Sequence, residues 1–143
     1  GGNVATTNAA FYEIYAGYTA TAGAGQQRSN RPEPRCTLAN WWECEQVKTA
    51  SRELFAGREG SHATPSEVAF TYYLFPEHVK DVKLGPGLPP GGRFFGAADY
   101  RRRFADGRIG SDPSLATPEK GKRIYEAAVE GMTQSFRAFA AAE

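Results

Sequence analysis

Cysteine is scarce in this chain: two residues in 143, Cys36 and Cys44. That is too few for the disulfide framework of a small secreted fold. No histidine stands near them in a ligand pattern, so both read as structural thiols. A reducing, cytoplasmic setting is the expectation. Charge of one sign is lacking too. Seventeen Lys and Arg against sixteen Asp and Glu leave a formal +1, whereas a nucleic-acid binder gathers a strong basic excess on one face. The longest basic run, Arg101-Arg102-Arg103, reads as a solvated helix face. No stretch approaches the roughly 20 apolar residues of a membrane span. The start is polar and Gly-rich, unlike a signal peptide. No Gly-x-Gly-x-x-Gly follows a strand-like run, which argues against a dinucleotide site.

What is present is enough apolar material, 41% of residues, for one ordinary domain with a buried core. The chain opens abruptly on Gly1-Gly2-Asn3-Val4 and reads as helix at once. First residues are usually frayed, so a piece of a longer polypeptide is expected. Asn3 caps a helix from about residue 4 to residue 16, with Phe11, Ile14, Tyr15 and Tyr18 on one face. Gly1 and Gly2 suit a tight turn that brings backbone N–H groups close to a ligand. Residues 19–35 read as loop. Residues 36–42, ending in Trp41-Trp42, are the best strand candidate.

Further along, residues 44–56 read as a helix with Val47, Leu54 and Phe55 apolar and Gly57 at its stop. Thr64-Pro65-Ser66-Glu67 announces another: Thr64 caps, Pro65 suits the first helical position, and Glu67 stands where a capping box wants a carboxylate. Pro76 ends it. The Gly/Pro-rich stretch 85–92 reads as a surface loop, with a lid or an oligomer contact as the alternative, and residues 97–105 make one short helix. Thr117-Pro118-Glu119 opens the last and longest helix. Tyr125, Ala128, Val129, Met132, Phe136 and Phe139 form its expected core stripe. One strand among helices suits an α/β layout whose earlier strands lie upstream.

His62 stands in a loop just before the helix that Thr64 caps, and Glu67 lies in that helix's first turn. A His and a carboxylate this close can meet at one site. The His can move a proton near neutral pH, and the Glu can bind a cation or take a proton. The plain reading competes: Glu67 as a capping-box residue only, His62 as a surface side chain. His78, after Pro76-Glu77, reads as a helix-end surface residue. Trp41 and Trp42 would point to opposite faces of a strand, one packing in the core and one lining a pocket; packing for both is the alternative.

The run Ser61-His62-Ala63-Thr64-Pro65-Ser66-Glu67 resembles the active-site segment of creatininase-type amidohydrolases, of the form His-Ala-x-x-x-Glu. It departs at Val68-Ala69, where Thr-Ser is usual, and at Thr64-Pro65, where Gly-Glu is common. Gly1-Gly2-Asn3 is similar to the end of the family's Asn-Gly-His-Gly-Gly-Asn loop. Gly110-Ser111-Asp112-Pro113, followed by Ala116-Thr117-Pro118-Glu119-Lys120-Gly121, is similar to the lead-in to its last helix. The resemblance implies a three-layer α/β domain, a mainly parallel sheet flanked by helices, of which residues 1–143 are the C-terminal portion. It implies a two-metal site of zinc or manganese in the full-length protein, with Glu67 as a metal ligand and His62 as the proton shuttle. Trp41, Trp42, Gly1 and Gly2 become candidate substrate contacts. The implied partner is a small, creatinine-like amide, with neither nucleic acid nor membrane, and the full-length protein is expected to be a homo-oligomer. With one presumed ligand here, the chain alone is expected to be inactive. The competing expectation is a truncated, non-catalytic binding or oligomerisation module of the same fold.

Overall fold

Helix signals dominate the sequence, and helices dominate the fold. The computed structural model describes residues 3–21, 32–80, 82 and 88–142. The chain divides into two compact units, residues 1–40 and residues 41–143.

In the first unit, α1 spans Val4–Thr21. Asn3 holds the cap position, its carbonyl accepting from Thr7 N–H at 2.9 Å. The helix continues past the expected end at residue 16. Gly17 is tolerated inside it, and the Thr19 hydroxyl donates back to the carbonyls of Tyr15 and Ala16 at 3.1 and 3.0 Å. Phe11, Tyr15 and Tyr18 are half-buried, while Ile14 is exposed. The Tyr15 hydroxyl accepts from Cys36 N–H at 3.1 Å and ties the irregular segment 32–40 to this helix.

Among the described residues the second unit holds four α-helices, three of which share its core. The first, α2, spans Glu45–Phe55 and buries Val47, Ala50, Ser51 and Phe55, a spacing that keeps one face inward. An acid in its first turn and Arg52 in its last suit the helix dipole. Next, α3 spans Pro65–Leu74 and carries the expected capping box. Pro76 then begins a 3₁₀ turn, Pro76–His78. The short α4 spans Ala97–Arg103. Last, α5 spans Pro118–Ala141, with the Thr117 hydroxyl accepting from Lys120 N–H at 3.3 Å. It packs on both α3 and α2. Val47, Ala50, Phe55, Ala69, Ile124 and Ala128 form the shared core.

Three expectations need correcting. The three-layer α/β fold with a parallel sheet is not what this chain forms: it is mainly helical, with no strand or sheet among the described residues and one isolated antiparallel bridge, His62 to Ile109. A sheet needs several runs that satisfy each other's backbone groups. This sequence offers one such run among segments of helical spacing. That run, residues 36–42, is not a strand either: 36–40 are irregular, and Trp41–Glu43 is a 3₁₀ turn. On α5 the inward stripe is Gly121, Ile124, Ala128 and Gly131. Val129 and Phe136 face solvent, Phe136 at 70% exposure, and Tyr125 lies at the margin. The inward face is narrow because α3 comes very close. A Cβ on Gly121 would lie 1.9 Å from the Ala69 carbonyl oxygen.

Candidate functional site

Two loops of the second unit meet at the start of α3. Ser61 N–H donates to the Ile109 carbonyl at 2.9 Å, and Asp112 N–H to the Arg58 carbonyl at 3.0 Å. The Arg58 guanidinium pairs with the Asp112 carboxylate at 3.0 Å. Contact this close needs a residue without a side chain at position 60. Gly60 has φ +61°, and a Cβ there would lie 2.4 Å from both the Ile109 oxygen and the Ser111 nitrogen. Ser111 is fully buried and donates its hydroxyl to the His62 carbonyl. Ala63 follows in the left-handed region, φ +53°, at a cost of about 1–2 kcal/mol for a residue with a Cβ. The His62–Ala63 peptide is therefore held from the opposite loop. The segments around His62 and around Gly110-Ser111-Asp112, some fifty positions apart, lie together.

The Asp112 carboxyl is held below its ordinary value, first by the Ser114 hydroxyl and then by Arg58, with burial opposing. Asp112 and Arg58 thus form one charge pair at this edge of the junction.

His62 and Glu67 are both exposed. Glu67 serves the capping box: its Oε2 accepts from Thr64 N–H at 3.3 Å and from the Thr64 hydroxyl at 3.1 Å, while Glu67 N–H donates to Thr64 Oγ1 at 3.2 Å. Neither bond from Thr64 to the carboxylate uses Oε1. Among the described residues no hydrogen bond or ion pair joins His62 to Glu67. Beside them runs an open groove of about 1230 Å³, lined by Ala63, Val68, Tyr72, Phe75, Lys80 and Arg108 among others. Ala63 and Val68 adjoin His62 and Glu67 in sequence; His62 and Glu67 themselves do not line it. At its polar end Arg108 holds Asp106 at 2.6 Å and keeps that carboxyl below its ordinary value.

The sequence matches the creatininase (creatinine amidohydrolase) family over residues 1–136. The chain belongs to the creatininase family. No curated protein matches it. Membership points to an amidohydrolase-type function.

Family membership raises the question of metal. A catalytic ion takes about three protein ligands, and among the described residues no three His, Cys, Asp or Glu side chains converge. Glu67 fits as one donor, because its Oε1 stands outside the cap. Cys36 and Cys44 are not joined in a disulfide, and His78 lies exposed, 3.5 Å from Glu77.

The remaining candidates fall elsewhere. Trp41 is half-buried and stacks on Phe70, ring centroids 5.0 Å apart. It meets Trp42 edge-on at 5.6 Å. Trp42 is exposed, and neither ring lines the groove. Gly1 and Gly2 lie outside the described residues, as do residues 85–87 of the stretch 85–92; residues 88–92 are irregular. No described helix is long and apolar enough to cross a membrane.

Sequence reasoning passed over two residues. Ser111 is a short polar residue in a loop, and only its burial against His62 distinguishes it. Glu59 has one carboxylate oxygen accepting from the Ser66 hydroxyl at 2.9 Å and the other, Oε1, buried with no partner. Ser111 stood out in the sequence only as part of the Gly110-Ser111-Asp112-Pro113 run, and no pattern marks Glu59.

Proposed function

We propose that this chain carries part of the active centre of a metal-dependent amidohydrolase that cleaves a cyclic or linear amide in a small nitrogenous molecule. What supports the reading best is the pinning of the His62 peptide by Ser61, Ile109 and Ser111, at the helix start that also carries Glu67. Glu67 Oε1 is the donor to a zinc or manganese ion. When bound, the ion lowers the pKa of its water and polarises the amide carbonyl. His62, exposed and on a fixed backbone, gives a proton to the leaving nitrogen, which departs poorly without one. The capping box holds the other oxygen of Glu67 and limits the swing of the carboxylate. One donor among the described residues is not a closed site, so the chain alone binds the ion weakly and does not turn over creatinine.

A second reading has an observation of its own. Glu67 already has a complete structural role in the cap, and Val129 and Phe136 on α5 are exposed. A non-catalytic module that assembles with further copies is consistent with both.

Two substitutions in an active enzyme carrying this sequence separate the readings. Glu67→Gln keeps the cap, since Gln also serves in a capping box, but removes the anionic donor. Bound metal should fall, and activity should partly return in excess metal. His62→Asn should leave metal content unchanged and lower kcat by roughly 10²–10⁴. Full metal content and unchanged kcat in both would refute the catalytic reading.

A further inference from the structure

An apolar ring stands outside the core in the turn that leads into α4. Gly92 and Gly96 both have positive φ, +111° and +94°, in the region that favours glycine, and they bracket Arg93-Phe94-Phe95. Phe94 turns toward α4 and meets Tyr100 and the buried Phe104 edge-on, with ring centroids 4.9 and 6.2 Å away. Phe95 is left outside. At 81% it is the most exposed large apolar side chain among the described residues. Its backbone is held: Phe95 N–H donates to Asp99 Oδ2 at 2.9 Å. The other oxygen of that carboxylate takes Arg102 and Arg103, the latter at 3.0 Å. Arg103 also donates to the Arg93 carbonyl at 3.2 Å. The guanidinium of Arg93 has no partner among the described residues. Three arginines thus belong to this turn, against the single charge of Asp99. From residue 88 to residue 98 the one polar side chain is Arg93; the others are Leu, Pro, Gly, Phe and Ala.

We propose that this turn docks on the surface of an anionic lipid bilayer, with Phe95 entering the interface and Arg93, Arg102 and Arg103 meeting the acidic headgroups. A bilayer surface asks for an apolar group and positive charge together. A nucleic acid or an acidic protein segment also presents polar edges that call for hydrogen-bonding side chains, and the neighbours of Phe95 are Phe, Gly and Ala. The contact stays in the headgroup region and needs no spanning segment, so the lack of one does not bear on it. One ring and three cations fall short of a lipid anchor, which makes the binding weak and reversible. The proposal is independent of the hydrolytic reading.

The test mixes the full chain with phosphatidylcholine vesicles containing about 30% phosphatidylserine, and with phosphatidylcholine vesicles alone. Co-sedimentation against lipid concentration gives the affinity. Binding should require the acidic lipid and should fall as salt is raised to about 0.5 M, where charges are screened within a few ångströms. Phe95→Ser should weaken it about tenfold, the loss expected when a Phe ring is kept out of an apolar phase, while Phe95→Leu should retain most of it. Arg93→Gln and Arg102→Gln should each cost about fivefold, since a basic residue near an acidic surface contributes about 1 kcal/mol. Arg101→Gln should cost less, because position 101 lies on the other side of α4 from Asp99. Phe136→Ser, which removes an exposed ring elsewhere in this unit, should leave vesicle binding unchanged. Thermal melting is the folding control, and exposed positions such as Phe95 and Arg93 should leave Tm in place. No binding to the acidic vesicles, or equal binding to both kinds, overturns the proposal. So does unchanged binding in Phe95→Ser, or a loss in Phe136→Ser as large as in Phe95→Ser. Tighter binding to a single-stranded oligonucleotide than to the acidic vesicles at the same salt also overturns it, and makes the turn a nucleic-acid contact instead.

Discussion

Gly121→Ala should destabilise the second unit, although helix propensity says the opposite. Ala is favoured over Gly inside a helix by about 1 kcal/mol. At this position the new methyl would meet the Ala69 carbonyl oxygen at 1.9 Å, its carbon at 2.6 Å and Tyr73 Cβ at 2.8 Å. The obstacle is the backbone of α3 rather than the end of a flexible side chain, so relief requires the two helices to part. Ala69 and Ile124 are both fully buried at this crossing, and parting them loosens the core. Overpacking costs typically 1–3 kcal/mol. A rigid backbone obstacle belongs at or beyond the upper end, which leaves a net loss of about 2 kcal/mol after the propensity gain. For a unit of this size that corresponds to a fall in Tm of about 8 °C, read by calorimetry or circular dichroism. Gly17→Ala is the control. A Cβ there meets nothing within 4 Å, so the same substitution should be neutral or stabilising by up to about 1 kcal/mol. If Gly121→Ala raises Tm, the close crossing of α3 and α5 is not as described.

Two further predictions concern charge and exposed surface. The lowered carboxyl of Asp112 binds a proton less readily folded than unfolded, so its stabilising contribution is complete above the ordinary value of 3.8 and is lost as pH falls through the lower folded value. Asp112→Asn should therefore flatten the acid limb of the Tm-against-pH curve, and parallel limbs would refute the link between Asp112 and the loop junction. Val129 and Phe136 expose apolar surface on α5, and contiguous patches of that kind bind hydrophobic dyes or partners. Val129→Ser with Phe136→Ser should lower dye binding while leaving stability within about 1 kcal/mol of wild type; a large fall in Tm would show that these residues are packed.

The local signals in the sequence determined most helix boundaries. Thr64-Pro65-Ser66-Glu67 and Thr117-Pro118 each combine a capping side chain with a residue pre-set for the first helical turn, so both starts are written in a few neighbouring positions. The motif pattern likewise pointed to the family that the chain proves to match. Which face of a helix turns inward was less legible. The expected stripe placed Ala128 correctly in the core of α5 but also Tyr125, Val129 and Phe136, whereas close packing on α3 and α2 buries Gly121, Ile124 and Gly131. Small residues win where backbones touch, and no sum of hydrophobicity along one helix contains the position of another. The absence of a sheet has the same origin: strand pairing is a property of two segments, and the run at 36–42 has no partner among the described residues. Only the tertiary structure brought Gly60 against Ile109, buried Ser111 against the His62 carbonyl, and set the Glu59 carboxylate against the Ser66 hydroxyl. Those contacts join residues that are unremarkable in sequence, and their significance comes from burial and distance, which exist only once the chain has folded.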